Sequence, residues 1–236
     1  MYKKLHLISK IFAITLAGWL LYNLWIFGHI VYWQYSNPSH TAFMKAQENT
    51  KTHHATDFIR QRWIPYQKIS VHLKRAVIAT EDAKFMTHNG FDWNGIEVAM
   101  KKNMRRGKLV AGGSTISQQL AKNLFLSNKK TIWRKAEEAI ITTMLESVMT
   151  KRRILEIYLN TIEWGEGVFG AEAASLHYFG VSAAHLSPAQ AAKLAAMISN
   201  PRFYDANRYT KKLTRKTRVI IRHMKATRAP SSHQHN

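Results

Sequence analysis

The sequence predicts a mainly α-helical fold, one domain behind a single N-terminal transmembrane helix. Three observations carry that expectation. Residues 11–44 contain no Asp, Glu, Lys or Arg, and 11–33 are almost wholly apolar. Apolar residues recur at helical spacing in the body, at Ile132, Ala136, Ile140, Met144 and Val148 and again at Ile141, Leu145 and Met149. Helix start and stop signals recur along the body, while strand signatures are few. The 236 residues suit one domain of ordinary size with an appendage or two.

The first helix sets the topology. At about 1.5 Å per residue, residues 11–33 span roughly 34 Å, enough for the hydrocarbon core of a bilayer. Trp25, Tyr32, Trp33 and Tyr35 gather toward its far end, where amphipathic rings favour the membrane interface. Lys3, Lys4 and Lys10 precede it, so residues 1–10 are expected in the cytoplasm and the body outside. The stretch is too long for a signal peptide, and no A-x-A site ends it. It is apolar on every face, unlike an amphipathic core helix.

Composition narrows the partners. With no cysteine, disulfides, thiolate zinc sites and cysteine nucleophiles are excluded. The 35 Lys and Arg against 14 Asp and Glu give a net charge of +21, which seeks polyanions. For an exported, tethered body those are anionic lipid or lipid-linked phosphate, and no nucleic acid partner is expected.

Beyond the helix, residues 34–64 read as a connector, 65–225 as the folded domain and 226–236 as a disordered polar tail. Val71 to Ala79 is an apolar-rich helix running into Glu81-Asp82. Asp92 suits the cap of a helix carrying Ile96, Ala99, Met100 and Met104, ended by Gly107. Gly112-Gly113 precede a helix through Leu124. Ile154 to Leu159 forms another, broken by Gly165, Gly167 and Gly170. Ser187-Pro188-Ala189-Gln190 combines a serine cap, a first-turn proline and a capping box, and Asn200-Pro201 stops the helix that follows.

Four constellations bear chemistry. The first, Glu81-Asp82 followed by Phe85, His88 and Gly90, puts a carboxylate at the end of an apolar helix, where desolvation raises its pKa toward acid/base use. A solvated helix end fits the same pattern. The second runs Gly112-Gly113-Ser114-Thr115, then Gln118-Gln119 and Lys122-Asn123. Glycines ahead of a Ser/Thr helix start leave backbone N–H groups that favour an anion, though an ordinary capped amphipathic helix reads the same way. The third, Arg134-Lys135-Ala136-Glu137-Glu138, places Arg134 and Glu138 four apart on one helix face, which is also the spacing of a surface ion pair. The fourth, Lys151 to Asn160, is a helix with a core face and an end bearing Tyr158 and Asn160. Other signals fail: Ser127 to Lys130 fits S-x-x-K, but no S-x-N or K-T-G follows. No H-E-x-x-H occurs among the twelve histidines, so no protein metal cage is expected.

In order and spacing these four stretches resemble the peptidoglycan glycosyltransferases, most closely the monofunctional biosynthetic type, over residues 65–205. The matching patterns are E-D-x-x-F-x-x-H-x-G, G-x-S-T-x-x-Q-Q-x-x-K-N, R-K-x-x-E and I-L-E-x-Y-L-N. The adjacent Glu137 leaves a one-residue ambiguity, with Glu138 the match to the motif. The resemblance implies a lysozyme-like helical domain at the bacterial inner membrane, active in cell-wall synthesis. Its substrates would be lipid II and a lipid-linked glycan chain, and other cell-wall synthesis or division proteins its company. No tightly bound cofactor is implied beyond a divalent cation at the substrate diphosphate. Glu81 would be the general base. Lys122 and Arg134 would meet the departing diphosphate, and Glu138, as a second catalytic carboxylate, would orient Arg134 or help hold that cation. Ser114, Thr115, Gln118, Gln119 and Asn123 would position sugars and phosphates, with Asp82, Phe85 and His88 supporting. Two other readings stand beside this one: a lytic enzyme using Glu81 as general acid, and a non-enzymatic basic scaffold.

Overall fold

The computed structural model describes residues 2–50, 59–108, 112–129 and 131–231. Among them are eleven α-helices: α1 (Tyr2–Tyr35), α2 (Ala42–Thr50), α3 (Val71–Glu81), α4 (Trp93–Arg106), α5 (Ile116–Phe125), α6 (Ile132–Val148), α7 (Lys151–Thr161), α8 (Ala171–Phe179), α9 (Pro188–Met197), α10 (Pro201–Ala206) and α11 (Lys211–His223). Local chemistry explains most of the starts. Ser70, Asp92, Thr115, Thr131, Thr150, Ser187 and Thr210 each accept a bond from a backbone N–H two or three residues on. Each such cap is worth about 1 kcal/mol. Gly107 and Gly180 end α4 and α8 in the left-handed region, at φ 60° and 67°.

The glycines after α7 build a small sheet. β2 (Glu163–Gly165) and β3 (Val168–Phe169) form an antiparallel hairpin, and β1 (Arg60–Gln61) joins β3 in parallel. Gly170 follows at φ +81°, and a Cβ there would lie 2.6 Å from the Asn160 carbonyl oxygen, so only glycine fits. The core forms where α3 packs on α9, α9 on α11, and α5 on both α6 and α7. Tyr66, Tyr158, Trp164 and Tyr204 are its largest buried side chains.

α1 is long and apolar enough to cross a membrane. Most of its large side chains are exposed, among them Phe12, Ile14, Leu21 and Leu24. Its last turns, however, dock on α6 and bury Ile26 and Ile30 completely. Each buried isoleucine contributes about 1.5–3 kcal/mol. The Trp33 ring lies 5.3 Å from that of Phe125.

Two stretches depart from the expected organisation. Of residues 34–64, read as a connector, 51–58 lie outside the described residues, and the rest hold α2 and β1 and bury Met44 and Ile64. Arg153 fastens their start: its Nε donates to the Trp33 carbonyl at 2.9 Å and its guanidinium to the Ser36 carbonyl and Asn37 Oδ1. In the tail, residues 226–231 are not free of the body, because the Tyr66 hydroxyl donates to the Pro230 carbonyl at 2.7 Å. Both corrections have one cause: a polar segment acquires order when side chains distant in sequence satisfy its backbone carbonyls. Residues 232–236, also expected in the tail, lie outside the described residues.

Candidate active site

Glu81 is the last residue of α3, as its place after an apolar run suggests. Burial pushes its carboxyl above the ordinary carboxylate value. The Gln119 hydrogen bond and the Lys216 and Lys122 charges oppose the rise, and Asp82 adds to it. Gln119 Nε2 donates to Glu81 Oε2 at 2.9 Å, and the Tyr158 hydroxyl donates to Gln119 Oε1 at 2.9 Å. The fully buried Tyr158 thus fixes which end of the amide faces the carboxylate. Among the described residues Glu81 Oε1 accepts no hydrogen bond, so one oxygen is open for a proton.

Asp82 has the opposite surroundings. It is buried and accepts from His88 Nε2 at 2.8 Å and from the Ile116 backbone N–H at 3.0 Å. Gly90 N–H donates to His88 Nδ1 at 3.1 Å, which leaves Nε2 as the donor to Asp82. The anion favoured at the start of α5 is therefore the protein's own Asp82 carboxylate, a correction to the expectation of a ligand there. Phe85 is fully buried beneath the Lys151 ammonium, 4.7 Å from the ring centroid. All three belong to the segment that follows Glu81 and are engaged within the protein.

Thr115 and Gln118 form a capping box, each bonding the other's backbone N–H. Thr115 also donates to the Gly90 carbonyl at 2.6 Å. Expected to position substrate, both are instead buried and engaged in starting α5. Ser114 is exposed and accepts from Lys135 Nζ at 3.3 Å.

One turn beyond Gln119 on α5, Lys122 lies within the electrostatic influence of a second cluster. Arg134 donates to Glu138 Oε2 at 2.6 Å, and Lys135 to Glu138 Oε1. The Glu138 side chain is 3% exposed and that of Arg134 15%, so this is no surface pair. Of the two adjacent glutamates, it is Glu138 that Arg134 bonds. Burial lowers the Lys122 pKa, opposed by Glu138 and aided by Arg134 and Lys135. Among the described residues Lys122 Nζ makes no hydrogen bond or ion pair, and the Phe43 ring lies 5.4 Å from it. Gln119, Lys122, Asn123 and Tyr158 line a cavity of about 280 Å³ with Phe43 and Arg202. No group of three His, Asp or Glu among the described residues is arranged to hold a metal ion.

The Transglycosylase family model matches residues 47–225, three quarters of the chain and every residue of this cavity but Phe43. The chain belongs to that family. It is 60% identical over 219 residues to the biosynthetic peptidoglycan transglycosylase of Laribacter hongkongensis, covering 92% of this chain and 96% of the relative. It is 59% identical to the protein of the same name from Chromobacterium violaceum, covering 95% and 99%. The Nitrosospira multiformis counterpart is 58% identical, covering 94% and 96%. As a transglycosylase domain, the helical body is lysozyme-like.

Within this transglycosylase fold, three participants escaped the motif reading. Tyr158 stands inside the I-L-E-x-Y-L-N stretch, so its signal was present and its target was not. Lys216 on α11 sends its charge toward Glu81 from 135 residues away while bonding Ser199 Oγ at 2.7 Å. Phe43 precedes every motif. The latter two carry no local sign of their partners.

Proposed function

We propose that this chain polymerises peptidoglycan glycan strands, transferring a lipid-linked growing chain onto the GlcNAc C4 hydroxyl of lipid II. The hydroxyl attacks C1 of the donor MurNAc, forms a β-1,4 link with inversion and expels undecaprenyl diphosphate. One observation carries this reading, the division of charge along α5. Gln119 holds a desolvated carboxylate, and Lys122, one turn on, feels the charges of the Arg134–Lys135–Glu138 cluster without bonding to it. A proton acceptor held by Gln119 and the cation Lys122 are therefore set one helical turn apart along α5, where Gln119 and Lys122 line one cavity.

Each residue follows from that division. Glu81 takes the hydroxyl proton, and its raised pKa makes it the stronger base for the task. Lys122 and Arg134 meet the charge that develops on the diphosphate, Arg134 through donors that Glu138 leaves free. Both Glu138 oxygens are engaged by cations, which favours an orienting role over metal ligation. A divalent cation taking part would travel on the diphosphate itself. Asn123 lines the cavity and Ser114 lies beside Lys135; both suit contacts to sugars or phosphates.

α1 supports anchorage in the inner membrane, N-terminus inside and catalytic domain outside. Confining enzyme and lipid-linked substrate to one plane raises their effective concentration. The lytic reading is disfavoured, since a hydrolase needs no cation cluster and the relatives are named biosynthetic. Incubating the detergent-solubilised chain with labelled lipid II should yield polymer, and purified peptidoglycan should stay intact. Soluble fragments from peptidoglycan without polymer from lipid II would overturn the proposal.

A further inference from the structure

The Lys122 ammonium is held by an aromatic face rather than by a carboxylate. That face comes from Phe43, in the first turn of α2, just after the membrane helix. At 5.4 Å to the centroid the contact lies within cation–π range. α2 itself is firmly seated. It packs on α5, buries Met44 completely, and its Gln47 Oε1 accepts from Arg202 at 3.3 Å. The link back to α1 is fastened by Arg153 at Trp33, Ser36 and Asn37. Phe43 and Arg202 also line the cavity that Gln119, Lys122 and Tyr158 border. A lysine with four rotatable bonds and no anionic partner keeps its rotamer freedom, and a ring over its ammonium restricts it.

We propose that Phe43 is a positioning residue for Lys122, and that the juxtamembrane helix α2 is a wall of the substrate cleft. The segment that tethers the enzyme thereby also sets the cation that meets the substrate diphosphate. This inference rests on the transferase reading above. Its physical content is preorganisation: a cation already in place when charge develops needs no reorganisation during the reaction.

The test uses the full-length chain in liposomes with two variants, Phe43→Leu, which keeps apolar bulk, and Phe43→Tyr, which keeps the ring. Polymerisation of lipid II gives kcat and KM, and calorimetric titration with inorganic diphosphate gives a Kd that does not depend on the active fraction. Phe43→Leu should lower kcat and raise the diphosphate Kd by about fivefold to thirtyfold, the span of a partly desolvated cation–π contact. KM should change less than kcat, and the thermal midpoint should stay close to that of the wild type. Phe43→Tyr should restore both constants to within about twofold. Leu and Tyr variants with equal kcat and equal diphosphate Kd, beside an active wild type, would overturn this inference alone. A wild type that binds diphosphate but makes no polymer would overturn the transferase reading and this inference with it.

Discussion

At Glu81 the carboxylate's direct partner is a neutral amide, whereas at Glu138 each carboxylate oxygen meets a cation. Both acids are largely removed from water. Their partners divide the tasks: a group that must gain a proton is left basic and half-satisfied, and a group that must hold cations is neutralised. α5 joins the two acids, with Gln119 serving one and Lys122 the other. A third acid, Asp82, sits next to Glu81 in sequence but is fully engaged at the start of α5, so adjacency in sequence does not give the two carboxylates one role.

The sharpest way to break this comparison is Glu81→Gln. Polymerisation of lipid II should fall by about 10²–10⁴-fold, because the base is gone while size and hydrogen bonding remain. Stability should move the other way. A carboxyl raised in the folded state favours folding below its unfolded pKa, and that contribution is lost as pH rises through the folded pKa. Ionised Glu81 therefore costs stability at neutral pH, and Glu81→Gln should raise the thermal midpoint at pH 7 relative to the wild type. The gain should vanish in acid, where the wild-type carboxyl is protonated. A midpoint lowered at pH 7 would contradict the desolvation assigned to Glu81.

Around Glu138, Lys122→Ala and Arg134→Ala should each slow turnover by roughly 10²–10³-fold, the loss of one contact made in the transition state. They should differ in stability. Arg134→Ala leaves Glu138 buried with only Lys135 and should lower the thermal midpoint, while Lys122→Ala removes a buried cation without an acidic partner and should not. Similar midpoints for the two variants would show that Glu138 is not held as described.

Smaller effects should follow from the groups behind and beside the reacting residues. Tyr158→Phe frees Gln119 at the loss of one hydrogen bond, worth about twofold to tenfold in rate. Gln119 holds the Glu81 pKa down, so loosening it should move the acidic limb of the pH–rate profile upward. An unchanged limb would remove Tyr158 from the positioning of Glu81. Ser114→Ala, at an exposed site beside Lys135, should cost less than about threefold. A larger loss, measured as kcat/KM, would place Ser114 in direct contact with substrate.

Much of the molecule was legible because its signals are local. Helix caps act over three residues, the Arg134–Glu138 pairing over four, and the uncharged run that reads as a transmembrane helix is continuous. The same locality explains the misreadings. Gly112 to Gln118 looks alike whether the helix start receives a ligand or an internal carboxylate, and only the return of α3 to α5 brings Asp82 there. Residues 34–64 are polar enough for a linker, and nothing near them announces Arg153, more than a hundred residues on.

Taken alone, the sequence determined the helical class, most helices of the body, a long apolar segment able to cross a membrane and the acid and cations to expect, since periodicity, capping and charge need only near neighbours. Tertiary structure decided which of those groups meet. It set Tyr158 behind Gln119, Phe43 over Lys122, Asp82 at the head of α5 and Glu138 rather than Glu137 toward Arg134. The reason is geometric: a helix fixes its own faces, but which face meets which neighbour depends on how the helices cross once a common core is buried.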